Sequence, residues 1–227
     1  MTKKKMVAFH GDPKIKQKYL DRVAAHRKAD ELVQGKTWRD GKGCAVGCTL
    51  HAYKHKLYES ELGIPEILAR LEDRIFEGLQ PSEAQEWPQR FLAAPKPGAD
   101  LSLVGWKFLY WCVSNTLEKY GTDQARTGCS AALDVLRLKA TGKPVARAVS
   151  AAASAAASVA SVASVASVAS VASVASVAAS VASVASAAAS AAWSAESAAW
   201  SAAWSAARSA AYFEMSNKLE DLLREAQ

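Results

Sequence analysis

An all-α protein in two parts is what this sequence predicts: an N-terminal multi-helix domain over residues 1–144, then a Ser/Val/Ala helical tract over 145–227 that closes in an amphipathic α-helix. Three observations carry that prediction. All twelve glycines and all seven prolines lie at or before Pro144, so the composition changes abruptly there. In the first part, apolar residues recur at helical spacing between helix-stop residues, and no stretch alternates as a strand would. In the second, serine returns at every third or fourth position from Ser150 to Ser209.

The elements follow in order. Asp12-Pro13 reads as an N-cap followed by proline at the first helical position. The helix it opens carries Ile15, Tyr19, Leu20, Val23, Ala24 and Leu32 and is closed by Gly35. Gly35 to Gly43 is a loop containing Trp38. A second helix is expected from Cys44 to about Leu62, before Gly63 and a restart at Pro65. Pro65–Leu79 is strongly amphipathic: Ile67, Leu68, Leu71, Ile75 and Leu79 form its apolar stripe, with Glu66, Arg70, Asp73, Arg74 and Glu77 facing out. Pro81 opens a short helix and Pro88 another, and Pro95–Gly98 is a loop. Leu101–Tyr120, rich in Trp and Phe, is the expected central helix. Thr122–Thr141 follows, terminated by Gly142 and Pro144.

The tract has two periods. From Ser180 to Ser209 the serines are spaced about 3.6 residues apart, as on one α-helix face. From Ser158 to Ser176 the spacing is three without exception. On an α-helix that smears Ser, Val and Ala around the circumference. On a 3₁₀-helix it makes three straight faces, and Val159, Val162, Val165, Val168, Val171, Val174 and Val177 line up as one ridge. An extended 3₁₀-helix over about 158–186 and a smeared α-helix are both open. Ala148 to Ala195 would be roughly 70 Å long as α and about 95 Å as 3₁₀, against a domain only about 35–40 Å across. So long a small-residue rod calls for Ala/Ser neighbours, and with no turn residues the expected ones are other chains. Near its end the stripe gains bulk: Trp193, Trp200, Trp204, Arg208 and Tyr212 stay on one α-helical side, a packing stripe toward the front domain or another chain. Leu219, Leu222 and Leu223 belong to the closing amphipathic helix.

The net charge of +6 is uneven, with fourteen Lys and Arg against six Asp and Glu in residues 1–60. A basic N-terminal face attracts nucleic acid or acidic partners, yet no nucleic-acid-binding motif accompanies it. Four cysteines without a hydrophobic leader point to a reducing, cytoplasmic setting. The uncharged run in the tract is long enough to span a bilayer. It lacks Leu, Ile and Phe, however, and Ser recurs throughout, so the expectation is no membrane.

One constellation bears chemistry. Cys44, Cys48, His51 and His55 stand at i, i+4, i+7 and i+11, on one face of the expected helix, and thiolate and imidazole are the ligands zinc prefers. The outer pair would be about 16 Å apart on a straight helix, too far for one ion. Two neighbours plus an outside ligand such as His10 or His26 would be needed. Cys48 beside His51 also reads as a thiol with a lowered pKa. Against both stands simple packing, with Gly43 and Gly47 letting elements approach closely. No catalytic residue and no cofactor other than zinc are indicated, and an enzyme is the less favoured reading.

The GKGCAVGCTLH stretch, the ELGIP and ARLEDRIFEGL segments and the alanine-rich triplet tail together resemble a family of uncharacterised bacterial proteins, over most of the chain. The resemblance implies that the tail is a recurrent design and implies no activity. The expected function is that of a structural or interaction protein, a homo-oligomer packed through its small-residue helix. A metal- or thiol-dependent enzyme or sensor centred on Cys44, Cys48 and His51 is the alternative, and a nucleic-acid-associated protein the third.

Overall fold

The computed structural model describes residues 5–145 and 208–227. The expectations for the serine and valine faces of 158–186, and for Trp193, Trp200 and Trp204, lie outside the described residues. Within them the fold is helical apart from one small hairpin, as the spacing of apolar residues requires.

The chain divides into two compact units: residues 1–105 with 208–227, and residues 106–207. In the first, α1 spans Pro13–Lys28, with the Asp12 carboxylate accepting from the Lys14 amide at 2.8 Å and Pro13 in the first turn. The helix stops before Gly35, because Asp30 takes a left-handed conformation at φ 53°, which a short polar side chain tolerates. Residues 31–34 are thereby freed to run beside Gly43: the Val33 amide donates to the Gly43 carbonyl at 2.8 Å, and the Gly43 amide to the Glu31 carbonyl at 3.0 Å. Gln34 then reaches the end of another helix, its amide donating to the carbonyls of Phe76 and Leu79 at 2.7 and 2.9 Å.

The expected loop at 35–43 contains the hairpin, β1 at Trp38–Arg39 against β2 at Lys42–Gly43. Its two-residue turn is Asp40-Gly41, both at positive φ, which matches the twist of antiparallel strands. The expected helix from Cys44 to Leu62 is in fact two, α2 at Ala45–Leu50 and α3 at Leu57–Leu62. His51 ends α2 in the left-handed region, and its amide donates to the Gly47 carbonyl. Gly63 closes α3 at φ 65°. A Cβ there would stand 2.0 Å from the Val7 carbonyl oxygen, so glycine is required twice over.

Next come α4 at Glu66–Gly78 and α5 at Pro81–Ala93. The latter is one helix where the two prolines suggest two. Pro88 sits inside it at the loss of one hydrogen bond, and burial of Trp87, Phe91 and Leu92 around that point carries the helix through. The last element of this unit is the C-terminal helix, here α8, Arg208–Glu225, which lies against α4 and α5. Tyr212 is fully buried with its ring over Gly78, where a Cβ would meet it at 2.3 Å. Arg90 of α5 donates to Glu220 at 2.9 Å and to Asn217 at 2.7 Å. The Asp100 amide donates to the Gln227 carbonyl at 2.9 Å, and the Leu101 amide to the Met6 carbonyl at 2.8 Å, so both chain ends flank one short segment.

In the second unit the described residues form two helices. Helix α6, Val104–Tyr120, starts at the last residues of the first unit, and α7 spans Asp123–Ala140. The Thr122 hydroxyl caps α7 by accepting from the Ala125 amide at 3.2 Å. Gly142 terminates it at φ 71°, as expected.

Candidate functional site

The GKGCAVGCTLH segment folds as β2 running into α2, and its two glycines are contact points. A Cβ on Gly43 would stand 2.0 Å from the Thr37 carbonyl oxygen, and one on Gly47 would stand 3.1 Å from that oxygen and 3.3 Å from the Trp38 Cβ. The hairpin therefore lies directly on α2 and places Trp38 beside the end of that helix. Two polar clusters form on either side, and they divide the four residues that the sequence placed on one face.

The first cluster joins His51 to His26, near the end of α1. The two Nε2 atoms are 2.8 Å apart. His26 Nδ1 lies 2.6 Å from a Glu31 carboxylate oxygen, so Nδ1–H is the donor there, and in the neutral imidazole Nε2 is then the lone-pair atom. Trp38 stacks flat on His51, with centroids 4.9 Å apart and planes 10° from parallel, and meets His26 edge-on at 5.5 Å. Partial burial lowers the His51 pKa, with the charges of Arg22 and His26 adding to this and Glu31 opposing it. The Arg22 guanidinium itself donates to the Thr49 carbonyl at 2.8 Å.

The second cluster surrounds two adjacent carboxylates of α4. Glu72 and Asp73 are both buried, although the apolar stripe of this helix predicts an outward Asp73. The reason is that α2, α3 and α5 cover α4 on more than one side. Tyr58 donates to Glu72 Oε2 at 2.5 Å, and the Trp87 indole donates to the Glu72 carbonyl at 3.0 Å. Glu72 Oε1 meets no hydrogen-bond partner among the described residues. Burial raises the Glu72 carboxyl well above the usual carboxylate range, the Asp73 charge adds to this, and the Tyr58 hydrogen bond only partly opposes it. Asp73 Oδ2 accepts from Tyr53 at 3.0 Å and from His55 Nε2 at 3.2 Å, and the Cys44 thiol lies against the same carboxylate.

Cys44 and His55 therefore meet at Asp73, His51 turns the other way to His26, and the Cys48 thiol donates to the backbone carbonyls of Gly43 and Glu31, at 3.4 and 3.5 Å. The broken helix is what separates them. Among the described residues no three His, Cys, Asp or Glu side chains converge as ligands for one ion. Burial pushes the Cys44 thiol far up, and pushes Cys48 up to about 12. That is opposite to the lowered pKa of a reactive thiol. Accordingly, both should resist a maleimide reagent at pH 7.5 in the native protein and react fully only in denaturant, as mass spectrometry would read; prompt native labelling of Cys48 would contradict this.

Of the basic residues, Lys16 is committed to the end of α5, its ammonium donating to the carbonyls of Ala93 and Pro95 at 2.6 and 2.8 Å. Glu31, Trp38, Tyr53 and Tyr58 are cluster residues that sequence spacing did not mark. Compared with protein-family models, with curated proteins and with solved structures, the chain matches none of them.

Proposed function

We propose that the protein is a helical scaffold that holds its Ser/Val/Ala segment at both ends and offers it to further copies of the chain. The observation that supports this is the docking of α8. The chain leaves α7 and comes back to the first unit through Tyr212 over Gly78, the Arg90 contacts to Glu220 and Asn217, and the bond from Asp100 to the Gln227 carbonyl. A tail without a structural task would not need a buried tyrosine and a charge-assisted clamp after it. No helix among the described residues is long and apolar enough to cross a membrane; the partner in this reading is protein. Small side chains favour close helix approach, and the proposed partner that supplies matching small residues along the same length is a second copy.

Light scattering on the full chain, and on a variant in which 146–207 is replaced by a short Gly/Ser linker, tests this. The full chain is expected to exceed the monomer mass with a concentration dependence that the replaced chain lacks. A full chain that stays monomeric at all concentrations would overturn the reading.

A further inference from the structure

We propose that His26 and His51 form a binding site for a divalent transition-metal ion, with Glu31 as the carboxylate that orients His26 and Trp38 as the plate that orients His51. Imidazole nitrogens are ligands of choice for zinc, copper and nickel. At a metal–nitrogen distance of about 2.0–2.1 Å, two nitrogens at a right angle stand about 2.9 Å apart, and at a tetrahedral angle about 3.3 Å apart. The observed separation of 2.8 Å is an Nε2–H···Nε2 hydrogen bond, and an ion that takes the place of that proton requires the nitrogens to move by only about a tenth of an ångström for the first angle.

Three features distinguish this pair from two histidines in casual contact. The Glu31 carboxylate accepts a hydrogen bond from His26 Nδ1–H, so that in the neutral imidazole Nε2 is the lone-pair atom; a carboxylate behind the imidazole is the usual support of a metal-bound histidine. Stacking on Trp38 holds the plane of His51. His51 is also displayed by a left-handed residue at the end of α2, a conformation that is costly away from glycine.

His51 is exposed, whereas the His26 side chain is only 11% exposed, so an ion reaches the pair from the His51 side. Arg22 is engaged with the Thr49 carbonyl and the face of Tyr19, and the Glu31 charge offsets it. With two protein ligands among the described residues, the remaining coordination positions fall to water or to a small anionic or nitrogen ligand. The site is separate from the tract and does not depend on the scaffold reading. It also differs from the Cys44, Cys48, His51, His55 set in that both cysteines lie outside it.

Titration calorimetry with Zn(II) and Cu(II) on full-length protein stripped of metal is the test. One ion per chain is expected. Affinity should fall at least tenfold in His26→Gln and in His51→Gln, and about tenfold in Glu31→Gln, while Cys48→Ser leaves it unchanged. Should a histidine variant fail to fold, the unaltered protein serves: substoichiometric Cu(II) should broaden the imidazole NMR signals of His26 and His51 before those of His10 and His55. The absence of binding by the unaltered protein, affinity that survives both histidine substitutions, or first broadening at His10 or His55 would each overturn the site.

Discussion

Glu72→Gln is expected to make the protein more stable relative to the unaltered chain as pH rises above about 5, with the gap widening until the native carboxyl itself ionises. The cause is the buried carboxyl of α4, which burial and the neighbouring Asp73 hold well above its ordinary value of 4.5. In the unfolded chain Glu72 releases its proton near that ordinary value, whereas the native state keeps it to a higher pH. Between the two values folding takes up a proton, so stability falls by about 1.4 kcal/mol per pH unit. Glutamine is neutral in both states and still offers Tyr58 an oxygen to donate to, so the variant lacks this loss. Urea unfolding at pH 5, 6, 7 and 8 reads the difference directly. Taking the difference between the two proteins removes the opposite contribution of His51, whose lowered pKa erodes native stability as pH falls through the imidazole range. Parallel curves would mean that Glu72 is ionised in the native state.

Tyr212→Ala is the second large effect. The ring is fully buried on Gly78, and removing a buried aromatic side chain costs about 3–5 kcal/mol. Gly78→Ala should also destabilise, since its Cβ would enter that ring. The two substitutions should not add: with the ring gone, the new methyl group fills part of the space left behind. The double variant is therefore expected to be more stable than the sum of the singles predicts, by about 1–3 kcal/mol. Additive losses would show that the α8 to α4 contact is looser than described. Limited proteolysis supplies a second readout, with cleavage within 208–227 rising in either single variant.

Helices with both a periodic stripe and terminal signals were legible from sequence. For α4, Pro65 and the Leu68, Leu71, Ile75 series place the element to within a residue, and for α7 Thr122 and Gly142 do the same. The ends of α1 and α2 were not legible, because Asp30 and His51 adopt left-handed conformations without being glycine, and only their surroundings decide that. The hairpin was not anticipated, 35–43 being expected as a loop, although Asp40-Gly41 is a dipeptide that such two-residue turns favour. At the candidate site the sequence marked His51 and offered His26 as an outside partner, and the structure brings those two together. It could not show that Cys44 and His55 share Asp73, since their meeting requires the turn after His51. Nor could a single apolar stripe reveal that Glu72 and Asp73 are buried, because periodicity records one covered face and α4 has more than one.

The position of α8 also fixes an order of events during synthesis. The surface of α4 around Gly78 exists early in translation, but the tyrosine that covers it, Tyr212, is made 134 residues later. At the usual pace of about 5–20 residues per second, the ribosome needs on the order of ten seconds or more between the two. The first unit therefore completes its core only once residues 208–227 have emerged, and until then the nascent chain carries an uncovered apolar face that chaperones can bind.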